Sequence, residues 1–196
     1  MEDLADALNR TMDHFHLPER TLEEVRSFVG NGARRLIELA AGADHAQLDE
    51  ILSYYKSDYD RNSLVKTAPY PGIKETLNKL HTAGCRIGIV SNKPDITVKR
   101  LAAALFDDCV DIAIGEKQGI RRKPAPDTVL AAMDALGARA EGTVYVGDSE
   151  VDVVTARAAG VRCISVLWGF RDREVLESAG ADCIVSDCGA LLEKLL

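Results

Sequence analysis

The spacing of apolar positions changes character about a third of the way along the chain. Up to residue 67 the apolar residues recur at intervals of three and four, and no stretch reads as a strand. Leu4, Ala7, Leu8, Met12 and Phe15 fall on one helical face, and Pro18 is expected to end that helix. Thr21-Leu22-Glu23-Glu24 offers a cap followed by first-turn acids and predicts a short helix to Val29. Gly30-Asn31-Gly32 breaks it. A third helix is expected over about 33–41, carrying Leu36, Ile37, Leu39 and Ala40, and a fourth over about 44–60. The first third therefore predicts a small helical bundle.

From Pro69 onward, short β-branched runs alternate with helical segments. Strands are expected over 86–90, 109–114, 143–146, 161–167 and 182–185. Helices are expected between and after them: 71–84, from Pro94 in a first turn to about 105, up to Leu136, up to Ala159, 173–179 and 188–196. Gly137 and Gly160 read as stops. Strands alternating with helices predict an α/β, Rossmann-like core, a parallel sheet wrapped on both faces by helices. The one plausible boundary is Thr67-Ala68-Pro69-Tyr70-Pro71-Gly72, which divides a helical domain, 1–67, from an α/β domain, 68–196.

Composition narrows the function. With 196 residues, 46% of them hydrophobic, the chain can bury a sizeable core. Its net charge of −7 and its short basic clusters argue against a nucleic-acid surface. No apolar run is long enough to span a membrane. The five cysteines are odd in number and lack a C-x-x-C, which reads as buried thiols in a reducing, cytoplasmic setting. The histidines form no metal-ligand spacing. A small-molecule partner is expected, with the chain a monomer or homodimer.

Candidate chemistry gathers where strands end. Thr143-Val144-Tyr145-Val146-Gly147-Asp148 runs as strand into tight turn, and an acidic helix start follows. Asp148 and Asp152 then stand near a strand's carboxyl end, where open α/β sheets bind ligands, and two carboxylates favour a hard divalent ion such as Mg²⁺. The alternative is that Asp148 caps the helix and Asp152 lies on its solvated face. Ser91, just past a strand, can donate to a phosphate oxygen beside main-chain amides, or simply cap a turn. Lys123 can neutralise a phosphate, or be a solvated loop lysine. In this order, on successive sheet-end loops, the three suggest phosphoryl chemistry.

These stretches resemble a known family. Ile89-Val90-Ser91-Asn92-Lys93, Lys123-Pro124-Ala125-Pro126-Asp127 and Gly147-Asp148-Ser149-Glu150-Val151-Asp152 are similar to motifs two, three and four of haloacid-dehalogenase-type phosphatases, and most of all to phosphoglycolate phosphatases. Val29-Gly30-Asn31-Gly32-Ala33 resembles the cap-domain loop of that group. The resemblance implies a Mg²⁺-dependent hydrolase of a small phosphomonoester, working through an aspartyl-phosphate. It implies Ser91 and Lys123 as catalytic residues, Asp148 and Asp152 at the metal, and a helical cap over the core. Asn92, Asn31 and Arg34 are expected substrate contacts, Arg34 pairing with a carboxylate or second phosphate of an anion such as 2-phosphoglycolate. For Asn31 and Arg34 a plain helix–helix turn is the alternative. Trp168-Gly169-Phe170-Arg171 either shapes the entrance or packs as core.

The family's first motif, an apolar strand followed by Asp-x-Asp-Gly-Thr, has no counterpart in these 196 residues. The only Asp-x-Asp, Asp58-Tyr59-Asp60, follows a helical pattern and is expected to be a solvated helix end. The expectation is a chain that starts late, lacks the nucleophile and is inactive as it stands, its longer form being the enzyme. A non-catalytic phosphate-binding or regulatory protein is the alternative. The sheet is expected to miss a central strand between those ending at Ser91 and Asp148. The two would then have to close on each other, or another chain fill the gap.

Overall fold

The structure, a computed structural model, describes residues 1–106 and 109–196. It divides into two compact units, Met1–Ala68 and Pro69–Leu196.

The first unit is helical: α1 (Glu2–His14), α2 (Leu22–Phe28), α3 (Gly32–Ala41) and α4 (Leu48–Asn62). One continuous apolar cluster, including Leu8, Met12, Val25, Ile37 and Ile51, lies among them. Helix α1 stops before Pro18 is reached. His16 adopts a positive φ of 55°, and the Leu17 amide bonds back to the Met12 carbonyl at 2.8 Å, so the left-handed turn closes the helix first. Thr21 caps α2 through a reciprocal box with Glu24, as Thr-x-x-Glu spacing dictates. Helix α4 starts later than its pattern suggests because Gly42, at φ 98°, opens a turn in which His45 and Leu48 bond back along the chain.

The second unit is α/β, with parallel strands flanked by helices. Its elements are α5 (Ile73–Thr82), β1 (Gly88–Pro94), α6 (Asp95–Phe106), β2 (Ile112–Glu116), α7 (Asp127–Leu136), β3 (Val144–Gly147), α8 (Glu150–Ala159), β4 (Arg162–Val166), α9 (Arg173–Ser178), β5 (Ile184–Val185) and α10 (Cys188–Leu195). Strand β1 takes in Ser91, Asn92 and Pro94, where the sequence suggested a helix start. Past a register shift Pro94 pairs with Glu116, and a terminal strand position asks no N–H of it. Cys109 to Asp111 precede β2 instead of opening it. Asp111 accepts from the Ile87 amide at 2.7 Å and anchors the start of β1 from the side.

The strands form two parallel ladders, β1–β2 and β3–β4–β5, and β1 does not pair with β3. The two strands expected to flank a gap therefore do not close on each other. A helix layer holds the ladders in place: α7 packs on β1 and β2, α8 on β3 and β4, and the two helices on each other. Val90 of β1 still reaches the cluster of Val129, Tyr145, Ala156 and Val161. Val146, in the middle of β3, is 41% exposed, an apolar strand position left without cover.

The five cysteines are free thiols and half-buried, more open than their strand-side positions suggested. Among the described residues no helix is long and apolar enough to cross a membrane.

Candidate active site

The carboxyl ends of β1, β2 and β3 bring Ser91, Lys123 and the acids of the Gly147 turn toward one another. Asn92 makes the first connection. It is 8% exposed, its side-chain nitrogen donates to the Lys123 carbonyl at 3.0 Å, and its oxygen accepts from the Lys123 amide at 2.8 Å. Both ends of the Asn92 amide thus bracket the main chain of Lys123. The side chain expected to touch substrate fixes the loop that carries the lysine. Ser91 accepts from the Lys93 amide at 3.2 Å, which leaves its hydroxyl hydrogen for another acceptor.

Lys123 is a buried, paired lysine, not a solvated one. Its ammonium donates to Asp152 Oδ1 at 2.7 Å and to the Tyr145 hydroxyl at 3.0 Å. The pair is nearly out of water, with side chains 13% and 6% exposed. An ammonium has three N–H donors, so one remains for a ligand.

Asp152 is the hub. Oδ1 accepts from Lys123 and from the Tyr145 hydroxyl, the latter at 2.8 Å. Oδ2 accepts from the Ser149 hydroxyl at 2.6 Å, the Ser149 amide at 3.1 Å and the Asp148 amide at 3.2 Å. A carboxylate offers about four lone-pair sites, and these donors occupy them. The helix cap belongs to Ser149, with Asp152 as its reciprocal partner three residues on. So Asp148 does not cap α8, and Asp152 does not lie on a solvated face. Burial pushes the Asp152 carboxyl up, but Lys123 and the Ser149 and Tyr145 hydroxyls outweigh it and hold the group below the ordinary carboxylate range.

Asp148 differs. One oxygen, Oδ2, accepts from the Phe170 amide at 2.9 Å, and no hydrogen bond within the chain engages Oδ1 among the described residues. Burial, then the charge of Asp152, raise its carboxyl above the usual range. A cavity of about 270 Å³ opens against it, lined in part by Tyr70, Val146, Trp168 and Phe170. Close packing fixes the turn: a Cβ on Gly147 would overlap Asp152, and one on Gly169 would overlap Asp148.

Asn31 and Arg34 lie in the helical unit. Asn31 precedes α3 without a side-chain cap bond, and Arg34 forms an exposed pair with Asp49 at 2.6 Å. Asp58 of the lone Asp-x-Asp is 6% exposed and paired with Arg10 at 2.6 Å, a buried structural acid where a solvated one was expected. Sequence reasoning missed Tyr145 and Ser149 as parts of the site, and it offered Phe170 as entrance or core without its main-chain bond to Asp148. A tyrosine in a strand looks like core, and a main-chain donor leaves no mark in the residue type.

The parallel strands, the sheet-end lysine and the paired acids define a class. A model of the haloacid dehalogenase-like hydrolase family matches residues 1–166, and the chain belongs to that family. Within it the chain is similar to phosphoglycolate phosphatases. It is 32% identical over 197 residues to the one from Pseudomonas putida KT2440, covering 97% of this chain and 72% of that protein. It is 32% identical over 202 residues to the one from Yersinia pestis, covering 98% and 85%. A solved structure of a candidate phosphoglycolate phosphatase from Lactobacillus delbrueckii subsp. bulgaricus matches with a TM-score of 0.94 and 33% identity, over 100% of this chain and 92% of its own.

Proposed function

We propose that the second unit is the phosphate-binding core of a Mg²⁺-dependent phosphomonoesterase for a small anionic ester of the 2-phosphoglycolate kind. The observation that carries this is the buried Lys123–Asp152–Tyr145–Ser149 network with Asp148 Oδ1 left open beside it. The Ser91 hydroxyl donates to one phosphoryl oxygen. The remaining Lys123 N–H lies against the charge that grows on the transferring group. Asp152, at 2.7 Å, holds that ammonium in its direction. Asp148 fits a hard divalent ion, because it presents one unengaged carboxylate oxygen next to a second acid. Among the described residues no three His, Cys, Asp or Glu side chains converge, so the other ligands would be main-chain carbonyls, waters and the substrate. A bound Mg²⁺ would supply Lewis-acid charge at the phosphoryl oxygens.

Among the described residues, the attacking carboxylate of the family's chemistry has no counterpart at these strand ends. The lone Asp-x-Asp sits in α4, with Asp58 committed to Arg10. This favours a second reading for the chain as it stands: it binds a phosphoryl ligand without turning it over.

Binding and turnover measured together separate the two. Inorganic phosphate and 2-phosphoglycolate are titrated calorimetrically with Mg²⁺, and phosphate release is followed in parallel. Binding that is lost in Lys123→Met, without release, is the expected result. Absence of binding would overturn the phosphate site, and release by this chain would overturn its lack of a nucleophile.

A further inference from the structure

We infer that the loop following β4, residues 169–171, is a positioning clamp that turns Asp148 so that only Oδ1 faces the ligand and thereby sets divalent-ion affinity; this rests on the metal-holding role given to Asp148 above.

Three contacts build the clamp. The Phe170 amide takes Asp148 Oδ2 at 2.9 Å, so half of the carboxylate is spoken for by the main chain. Gly169 lies flat against the same side chain, and any Cβ there would overlap the Oδ2, Cβ and Cγ atoms of Asp148. The approach that lets the Phe170 amide reach Oδ2 thus exists only for glycine. Arg171 then ties the loop to the acid's own helix. Its guanidinium grips Glu150 through Nε at 2.8 Å and a terminal nitrogen at 3.3 Å, and its side chain is only 13% exposed. Glu150 opens α8 two residues after Asp148, so the loop is fastened on both sides of the carboxylate. From the other side Gly147 and the five donors to Asp152 hold the turn itself.

The geometry has a chemical consequence. A carboxylate free to rotate presents either oxygen, or both, and must lose that freedom when it binds an ion. One oxygen already bonded to a rigid amide offers a single, oriented donor with its freedom removed beforehand. Supporting groups of this kind typically change metal affinity about 10–100-fold. The contacts that build the clamp run to Asp148 and to Glu150, so it acts on the metal-holding acid, and its effect is expected on metal affinity ahead of phosphate affinity.

The test is calorimetric titration of Mg²⁺ and, separately, of inorganic phosphate without metal, on the whole chain and on Gly169→Ala and Arg171→Met. The Phe170 amide proton is followed by NMR. Gly169→Ala is expected to weaken Mg²⁺ binding about tenfold or more, with phosphate affinity within about twofold. Arg171→Met is expected to shift it the same way by a smaller factor, and the exchange Glu150→Arg with Arg171→Glu to restore it. Asp148→Asn should move the Phe170 amide resonance strongly. Unchanged Mg²⁺ affinity in both variants would overturn the clamp, as would equal loss of metal and phosphate binding. If the unaltered chain binds no Mg²⁺ while the Phe170 resonance still reports Asp148, the metal role of Asp148 fails. The clamp's effect on affinity then fails with it, whereas retained Mg²⁺ binding in Gly169→Ala rejects the clamp alone.

Discussion

Lys123 and Asp152 form an ion pair too deep to resemble a surface one. Exposed pairs are worth about 0–1 kcal/mol, whereas removing one partner of a buried pair typically costs about 3–5 kcal/mol, because the other charge stays behind without water. Lys123→Met is therefore expected to lower stability by about that amount in urea unfolding. Adding Asp152→Leu should recover part of it, since the stranded charge is gone. A loss below about 1 kcal/mol in Lys123→Met would mean the pair is effectively solvated. Tyr145→Phe tests the same network more gently. It deletes one donor to a carboxylate, and hydrogen bonds to charged groups contribute about 1.5–3 kcal/mol. Phosphate affinity should fall with it as Lys123 loosens, and unaltered affinity would make Tyr145 ordinary core. At this scale Asp148, Lys123 and Ser91 were legible, because acids after a strand–glycine turn and a lysine before Pro124 are unusual residues in unusual places. Tyr145 and Asn92 were not. Their roles come from partners 7 and 31 positions away, and spacing says nothing about contacts across neighbouring loops.

Elements were legible where punctuation is local. Gly137 and Gly160 end α7 and α8 in the left-handed conformation, and Thr21 with Glu24 starts α2, all as their residue types require. Pro18, Pro94 and Cys109 misled, since His16, the β1–β2 register and Asp111 decide those boundaries through contacts beyond the local pattern. Asp3 is an element-scale example of the same kind. Buried in α1, it accepts the amides of Lys66 and Thr67 and the Thr67 hydroxyl, at 2.8–2.9 Å, and ties the chain after α4 to the first helix. Burial pushes its carboxyl up, but those donors outweigh burial and hold it below the ordinary range. A depressed folded-state value contributes stability that is fully present above the unfolded value of about 3.9 and is lost as pH falls through the lower folded value. Asp3→Asn should therefore unfold more easily than the unaltered chain at about pH 6, with the gap closing as acid is added. A gap that widens in acid would reverse the sign and the assignment. The open edges of β1 and β3 make a separate point. Amides of β3 not directed at β4 should exchange faster than those of β4, which is paired on both sides; equal protection would show the edge covered in solution.

The whole molecule joins two units of unequal internal continuity. Among the described residues the helical unit is built on one apolar cluster, while the α/β unit divides its core among three clusters under two ladders. Opening free energies follow buried apolar contact and paired backbone, so the α/β unit should exchange its protected amides at lower denaturant than Leu8, Ile37 and Ile51 do. Ligand changes that order in a way that reports where binding happens. A ligand at about one hundred times its dissociation constant contributes about 2.7 kcal/mol to whatever folded unit carries its site. Ser91, Lys123 and Asp148 all belong to Pro69–Leu196, so inorganic phosphate with Mg²⁺ should raise protection there and leave α1–α4 unchanged. Added protection confined to α1–α4, or none in the α/β unit, would move phosphate recognition out of Pro69–Leu196.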